Sequence, residues 1–155
     1  MIHVLFVCLG NICRSPMAEG VFRNLLKQEN LSSKVSVDSA ATSSWHIGSP
    51  PHRGTLGILK KYNISAEGLV GRQLTKEDFE KFDYIIGMDE SNINNIFEIT
   101  GKPQHPKIIR LLDLTDHNKD VPDPYYTGDF EETYQLVTDG CQALLEKIRK
   151  ERSLT

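Results

Sequence analysis

Cysteine is scarce in this sequence, and the number of cysteines is odd. With only three, Cys8, Cys13 and Cys141, a framework in which every cysteine is paired within the chain is excluded. In a reducing compartment, cysteines are more often buried, bound to metal or reactive than paired. Each of the three therefore needs its own explanation.

Long apolar runs and an excess of positive charge are also missing. The first apolar segment, residues 2–8, is too short to span a bilayer, and no basic segment of a secretory signal precedes it. We therefore expect a cytoplasmic protein. The formal net charge of −3 leaves no basic stripe, so neither nucleic acid nor a membrane is an expected partner. A length of 155 residues predicts a single domain, residues 1–155.

Strand-like and helix-like segments alternate along the chain. The predicted strands cover residues 2–8, 35–39, 84–88 and 107–112. Five helices are predicted. The first begins at Ser15-Pro16 with Ser15 as the N-cap, and the second covers residues 54–62. A third follows the capping-box segment 75–78, a fourth carries Ile93, Ile96 and Phe97, and the last runs from residue 130 to residue 148 with Cys141 in the core. Residues 43–52 and 120–129 are predicted loops.

This order of elements favours an α/β fold in which helices cover both faces of a parallel sheet. Ligands of such sheets bind at the carboxyl ends of the strands, beside the N-termini of helices. The segment "CLGNICRS", residues 8–15, lies at such a junction. Unpaired backbone N–H groups and the helix dipole attract an anion there, and Gly10 helps the segment to curl with its amides inward. We interpret it as a cradle for a tetrahedral oxyanion.

The residues that bracket this loop suit phosphate chemistry. The guanidinium of Arg14 matches two phosphate oxygens, and the same positive field stabilises a Cys8 thiolate as a nucleophile. Thiolate attack on phosphorus also needs an acid for the leaving oxygen, and Asp123 in "DPYY" is the candidate. Taken singly, a strand-end cysteine is usually a core residue and an Asp-Pro pair is usually a turn. The three residues together favour catalysis.

Three segments resemble the low-molecular-weight protein tyrosine phosphatase family, so the likeness spans nearly the whole chain: "VCLGNICRSPMAEGVFR", "VDSAATSSWHIGSPPHRG" and "VPDPYYTGDFEETYQLV". The resemblance implies a three-layer sandwich around a four-stranded parallel sheet in the order 2-1-3-4. It also implies hydrolysis of phosphate monoesters without a metal or another cofactor, through a phosphocysteine on Cys8. Arg14 would be the phosphate clamp, and Asp123 the general acid and then the general base.

The same resemblance assigns residues around the loop. Ser15 would donate a hydrogen bond to the Cys8 sulfur, while Asn11 and Ser39 would hold the shape of the loop. The substrate-binding residues that follow from the resemblance are Leu9, Gly10, Asn11, Ile12, Cys13, Ser15, Trp45 and Tyr125. We expect a tyrosine-phosphorylated protein or peptide as the substrate, inorganic phosphate as product and competitive ligand, and a monomer.

Two aromatic residues of this set would form the walls of the entrance. Trp45 and Tyr125 would grip the flat ring of phosphotyrosine, although a lone tryptophan in a loop is also explained as a half-buried surface residue. Tyr125 and its neighbour Tyr126 are in addition candidate phosphorylation sites. Cys13 either resolves an oxidised Cys8 as a disulfide or only packs beneath the loop.

The sequence departs from the family pattern at one point. Many members carry a histidine shortly before an "ARQ"-like triplet, where it helps to fix the loop asparagine, whereas residues 68–73 read "GLVGRQ" here.

Three alternative functions compete with the phosphotyrosine phosphatase. An arsenate reductase would need a downstream cysteine pair, and a phosphoarginine phosphatase would have threonine at Ile12. A phosphate-binding module that never completes hydrolysis would not need both Arg14 and Asp123.

Overall fold

Strands and helices alternate in the computed structural model, which describes residues 1–154. The strands are β1 (Ile2–Cys8), β2 (Val35–Ala41), β3 (Tyr84–Gly87) and β4 (Ile108–Arg110). The helices are α1 (Arg14–Gln28), α2 (Arg53–Lys61), α3 (Asp78–Lys81), α4 (Glu90–Thr100), α5 (Pro124–Thr127) and α6 (Phe130–Arg152). Within residues 1–154, no helix is both long and apolar enough to cross a membrane.

All strand pairs of the sheet are parallel, and the strand order is β2-β1-β3-β4. Cys8, the last residue of β1, pairs with Ala41, and Val7 pairs with Gly87. The carboxyl ends of β1, β2 and β3 therefore meet at one edge of the sheet. The loop that follows Cys8 emerges between the two neighbouring strands, which is where ligands of α/β proteins bind.

Side chains of β1 enter two separate apolar layers because successive residues of a strand point to opposite faces. Val4 and Phe6 are fully buried in a cluster with residues of α1 and α6, and Leu5 and Val7 in a second cluster with residues of α3 and α4. The predicted three-layer α/β sandwich with strand order 2-1-3-4 is confirmed. Cys141 is fully buried in the first cluster, which confirms its prediction as a core residue.

The predicted start of the first helix is wrong. Helix α1 begins at Arg14 with Cys13 in the N-cap position, and no side chain caps it. Instead of capping the helix, the hydroxyl of Ser15 lies 3.0 Å from the Cys8 sulfur. The first N–H groups of α1 therefore have no side-chain cap, and uncapped N–H groups at a helix start attract anions.

The predicted fourth strand, residues 107–112, is too long. Pairing with β3 ends at Arg110, and Leu111 and Leu112 then enter a 3₁₀ helix in which both side chains are fully buried. Helix α6 passes so close that a Cβ on Gly140 would lie 2.4 Å from the Leu111 side chain. Packing against α6 thus overrides the strand pattern of these apolar residues.

The predicted loop over residues 120–129 contains the short helix α5. Pro124 is its first residue, and the side chain of Asp123 caps it by accepting a hydrogen bond from the Tyr125 N–H at 3.1 Å. Proline with its fixed φ is well suited to the first position of a helix, and aspartate is well suited to the cap. The Asp-Pro pair therefore starts a helical turn that fixes the position of the Asp123 carboxylate.

Candidate active site

Nine of the eleven predicted site residues line one cavity at the carboxyl edge of the sheet. Its lining consists of Cys8, Leu9, Gly10, Ile12, Cys13, Arg14, Trp45, His46, Asp123, Tyr125 and Tyr126. Asn11 and Ser15 were also predicted to bind the substrate, but they do not line the cavity. Both are buried beneath the loop, where the Asn11 amide donates to the Ser15 hydroxyl. Their side chains therefore shape the cradle, and substrate binding by these two residues stays a prediction.

Asn11 holds the curl of the Cys8–Ser15 loop. Its φ of +56° lies in the left-handed region, which asparagine adopts more readily than most residues, and its backbone N–H points at the Cys8 sulfur, 3.3 Å away. The side-chain Oδ1 accepts from the Arg72 N–H at 3.1 Å, and Nδ2 donates to Ser15 Oγ and Ser39 Oγ. The backbone at Arg72 thus supports Asn11 in this chain, which lacks the family histidine.

The direction of these hydrogen bonds determines what Ser15 offers to the nucleophile. An amide NH₂ only donates, so the Ser15 hydroxyl accepts from Asn11 at 2.8 Å. Its own hydrogen is then available to the Cys8 sulfur at 3.0 Å. The Asn11 N–H is a second donor to the same sulfur, at 3.3 Å.

Glu19 ends this network and was not anticipated from the sequence. The Ser39 hydroxyl donates to Glu19 Oε1 at 2.6 Å, and the glutamate is buried. Burial raises the pKa of Glu19 to about 7; the Ser39 hydrogen bond opposes this rise, and the charge of Asp38 adds to it. The available signal was spacing, because Glu19 follows Ser15 by four residues and therefore lies on the same face of α1.

The guanidinium of Arg14 is buried at the base of the cavity, and its two ends are used differently. Nη1 donates to Asp89 Oδ2 at 2.7 Å and to the Val121 carbonyl at 2.8 Å, so both of its hydrogens are occupied. Nη2 lies 3.5 Å from Asp123, and the buried Nε has no hydrogen-bond partner among the described residues. The Nε–Nη2 side of the fork is therefore the side available to an oxyanion.

Asp89 is the second functional residue that the sequence reasoning missed. It lies two residues after the end of β3, caps α4 through a 2.7 Å bond from the Asn92 N–H, and keeps its other oxygen for Arg14. Burial lowers the pKa of Arg14, but the nearby Cys8, Asp89 and Asp123 raise it overall. An acidic residue just after a strand that neighbours β1 was the signal, since the carboxyl ends of adjacent parallel strands share an edge.

Asp123 lines the cavity together with the loop of Cys8. One carboxylate oxygen caps α5, and the other lies 3.5 Å from Arg14 Nη2. The side chain is 22% exposed, so it reaches both the cavity and solvent. A carboxylate in this position can exchange protons with a ligand atom and with water.

A family model described as low molecular weight phosphotyrosine protein phosphatase matches residues 3–154. The chain belongs to this family. The family predicted from the sequence motifs is thereby confirmed, and this phosphatase is a hydrolase.

Individual relatives agree with the family match. The phosphatase is 51% identical to the low molecular weight protein-tyrosine-phosphatase YfkJ of Bacillus subtilis (strain 168), over 99% of this chain and all of that protein. The crystal structure of YfkJ matches with a TM-score of 0.95 over 98% of this chain and 97% of that one. PtpA of Staphylococcus epidermidis (strain ATCC 35984) is 45% identical over 99% of this chain and 98% of its own length. The structure of DARP, a drosophila arginine phosphatase, is 32% identical with a TM-score of 0.84, covering 94% of this chain and 97% of that chain.

The rim of the phosphatase cavity is aromatic and exposed. Trp45, Tyr125 and Tyr126 are 69%, 57% and 74% exposed and all line the cavity. His46 and Tyr126 were not assigned to the pocket from the sequence, although each adjoins a residue that was. The exposed flat faces of these rings are suited to stacking against another ring.

Cys13 lies in the wall of the phosphatase cavity and is buried. Burial, with the charges of Asp123 and Cys8, raises the pKa of the Cys13 thiol to about 12, and Arg14 only partly opposes this rise. At neutral pH Cys13 is therefore a thiol and not a thiolate. The Cys8 sulfur, by contrast, is contacted by the Ser15 hydroxyl and the Asn11 N–H.

Proposed function

We propose that the chain is a phosphotyrosine-protein phosphatase that hydrolyses phosphate monoesters through a phosphocysteine on Cys8. The observation that carries the proposal is that Cys8, the free side of the Arg14 fork and Asp123 all face one cavity. An uncapped helix start provides further N–H donors for phosphate oxygens. Within this cavity, a phosphate finds a nucleophile, a clamp and an acid.

In the first half-reaction, the Cys8 thiolate attacks phosphorus and the S–P bond forms while the P–O bond to the tyrosine ring breaks. The Nε–Nη2 side of Arg14 and the loop amides bind the non-bridging oxygens, whose charge they stabilise in the transition state. Asp123 in its protonated form gives its proton to the departing phenolate oxygen. The products of this step are a phosphocysteine and a free tyrosine side chain.

In the second half-reaction, the Asp123 carboxylate takes a proton from a water molecule, whose oxygen attacks phosphorus. The new P–O bond forms as the S–P bond breaks, and the sulfur leaves as a thiolate that Ser15 and the Asn11 N–H stabilise. Inorganic phosphate is released, and Asp123 is protonated again for the next cycle. The cradle that binds the phosphate group of the substrate also binds the inorganic phosphate released, so phosphate competes with the substrate.

The aromatic rim supports phosphotyrosine as the substrate group. A phosphotyrosine side chain reaches from the cradle to the rim, where Trp45 and Tyr125 can contact its ring, and a short phosphoserine gains no such contact. Phosphoarginine is the alternative, because one related structure is an arginine phosphatase. Ile12 stands where the resemblance assigns threonine to that branch, so we assign this chain to the phosphotyrosine branch.

The decisive assay is hydrolysis of p-nitrophenyl phosphate in the presence of a metal chelator. Cys8→Ser should abolish turnover, and Asp123→Ala should lower it, whereas Asp116→Ala, at an exposed aspartate outside the cavity, should leave it unchanged. An undiminished Cys8→Ser enzyme would exclude the mechanism. Phosphotyrosine, phosphoserine and phosphoarginine peptides compared at equal concentration then identify the substrate, and faster cleavage of phosphoarginine would contradict our assignment.

A further inference from the structure

Exposed apolar side chains are concentrated around the mouth of the cavity. Six large hydrophobic residues of the described chain are strongly exposed: Met1, Trp45, Ile47, Val70, Tyr125 and Tyr126. Trp45, Tyr125 and Tyr126 line the cavity and suit the ring of the substrate. Ile47 and Val70, which are 59% and 55% exposed, do not line it, and so the reaction at the phosphate leaves them without a role.

Ile47 and Val70 are carried by two backbone segments that lie against each other. The Gly48 N–H donates to the Gly71 carbonyl at 2.8 Å, and the Gly71 N–H donates to the Ser49 carbonyl at 2.8 Å. The segments are so close that a Cβ on Gly71 would lie 2.3 Å from the His46 carbonyl oxygen. Ile47 therefore adjoins Gly48 and Val70 adjoins Gly71, and these two glycines are joined by a hydrogen bond.

These segments also join the cavity directly. Trp45 and His46, which precede Ile47, line the cavity, and Arg72, two residues after Val70, is bonded through its N–H to Asn11 in the catalytic loop. We call Trp45, Ile47 and Val70 the apolar shelf. Because the shelf is continuous with the mouth, a chain that enters the cavity through a phosphotyrosine lies beside it.

The backbone that carries the shelf has no charged side chains. Residues 43–52 and 68–71 contain no Asp, Glu, Lys or Arg, although a quarter of the whole chain is charged. An acidic side chain placed on Ile47 and Val70 would lose hydration against apolar groups, whereas an apolar side chain would gain by leaving water. An uncharged patch of this kind next to a binding pocket indicates an interaction surface.

We propose that the apolar shelf binds an apolar side chain that flanks the phosphotyrosine in the substrate polypeptide. The inference rests on the proposed phosphotyrosine phosphatase activity and adds a preference to it. The shelf selects substrates with an aliphatic residue near the phosphotyrosine over substrates with acidic residues there. Small substrates such as p-nitrophenyl phosphate fill the cavity but do not reach Ile47 or Val70, so the shelf does not affect them.

The test compares phosphotyrosine peptides that carry leucine, serine or glutamate at each position near the phosphotyrosine, with p-nitrophenyl phosphate as the reference. In the parent enzyme, leucine at the matching position should raise kcat/KM about tenfold over glutamate, the size of effect that one buried aliphatic group supports. Ile47→Ser combined with Val70→Ser should remove this difference and leave p-nitrophenyl phosphate hydrolysis unchanged. Ile47→Leu, which keeps an aliphatic side chain, should preserve it.

The other outcomes count either against the peptide-binding role of the shelf or against the activity on which it rests. Equal kcat/KM for all peptides in the parent, or a preference that survives both serine substitutions, would overturn the proposal while leaving the phosphatase activity standing. Failure of the parent to hydrolyse any phosphotyrosine peptide or p-nitrophenyl phosphate would instead contradict the proposed function. A concentration-dependent dimer in sedimentation experiments that disappears with the serine substitutions, without a peptide preference, would assign the shelf to a second copy of the chain.

Discussion

Asp89 holds the guanidinium of Arg14 through a 2.7 Å hydrogen bond from Nη1. The Val121 carbonyl takes the second hydrogen of the same nitrogen, so the fork is turned with Nε and Nη2 toward the cavity. Because Asp89 also caps α4, the orientation of the clamp is tied to the helix that follows β3. Asp89 is thus a positioning residue for Arg14 and not a group that contacts substrate.

Replacing Asp89 with asparagine should lower kcat/KM for p-nitrophenyl phosphate about tenfold to a hundredfold, since a misplaced clamp loses transition-state contacts. Asparagine caps helices as well as aspartate does, so the unfolding free energy should change little. Steady-state kinetics and urea unfolding together measure the two effects. Asp89→Ala should lose both activity and stability, and an Asp89→Asn enzyme with normal kinetics would refute the positioning role.

The effect of removing Asp123 should depend on the leaving group. A p-nitrophenolate leaves readily without a proton, whereas the phenolate of tyrosine needs one, so Asp123→Ala should slow phosphotyrosine hydrolysis more than p-nitrophenyl phosphate hydrolysis. General acid catalysis supports an extra loss of about a hundredfold. A series of aryl phosphates with graded leaving groups measures the trend. A uniform loss across that series would assign Asp123 a role other than proton transfer.

The sequence predicted the parts of the site that occupy contiguous motifs and missed those that depend on tertiary contacts. Cys8 and Arg14 lie in one loop, and Asp123 lies in a recognisable Asp-Pro turn, so their residue types and spacing indicate their chemistry. Asp89 belongs to no such motif, and its role arises only because β3 pairs with β1. Glu19 was missed for the same reason, since its burial against Ser39 depends on how α1 packs beside β2.

The parallel sheet was likewise predicted from local patterns in the sequence. The apolar run of β1 has the signature of a strand buried on both faces, and the alternation of elements favours a parallel sheet. The errors occurred where packing competes with local preference. Leu111 and Leu112 have the pattern of a strand but turn into a 3₁₀ helix against α6, and no local signal in the sequence specifies that contact.

Peroxide should inactivate the enzyme reversibly, and Cys13 should be responsible for the recovery. Peroxide converts the Cys8 thiolate to a sulfenic acid, and the Cys13 thiol then displaces hydroxide from that sulfur, forming a disulfide and water. After long exposure to excess peroxide, dithiothreitol should restore activity in the parent but not in Cys13→Ser, where further peroxide oxidises the unprotected Cys8 sulfenic acid to the irreversible sulfinic acid. Added phosphate should slow inactivation by occupying the cradle. Equal recovery of parent and variant would leave Cys13 with the packing role alone.

Glu19 should make the stability of the protein depend on pH. Burial raises the pKa of Glu19 from an ordinary value of 4.5 to about 7, so the folded state prefers the protonated carboxyl. The stability that this preference contributes is fully present below the unfolded pKa and is lost as the pH rises through the folded pKa. The loss amounts to about 3 kcal/mol at about 1.4 kcal/mol per pH unit.

Glu19→Gln keeps a neutral side chain at every pH, so the free energy of unfolding of the parent minus that of the variant should fall between about pH 4.5 and pH 8. Urea unfolding of both proteins across this range measures the difference, with Glu67→Gln at an exposed position as the matched control. A difference that stays constant with pH would mean that Glu19 is ionised throughout and that the network to the catalytic loop ends in a charge.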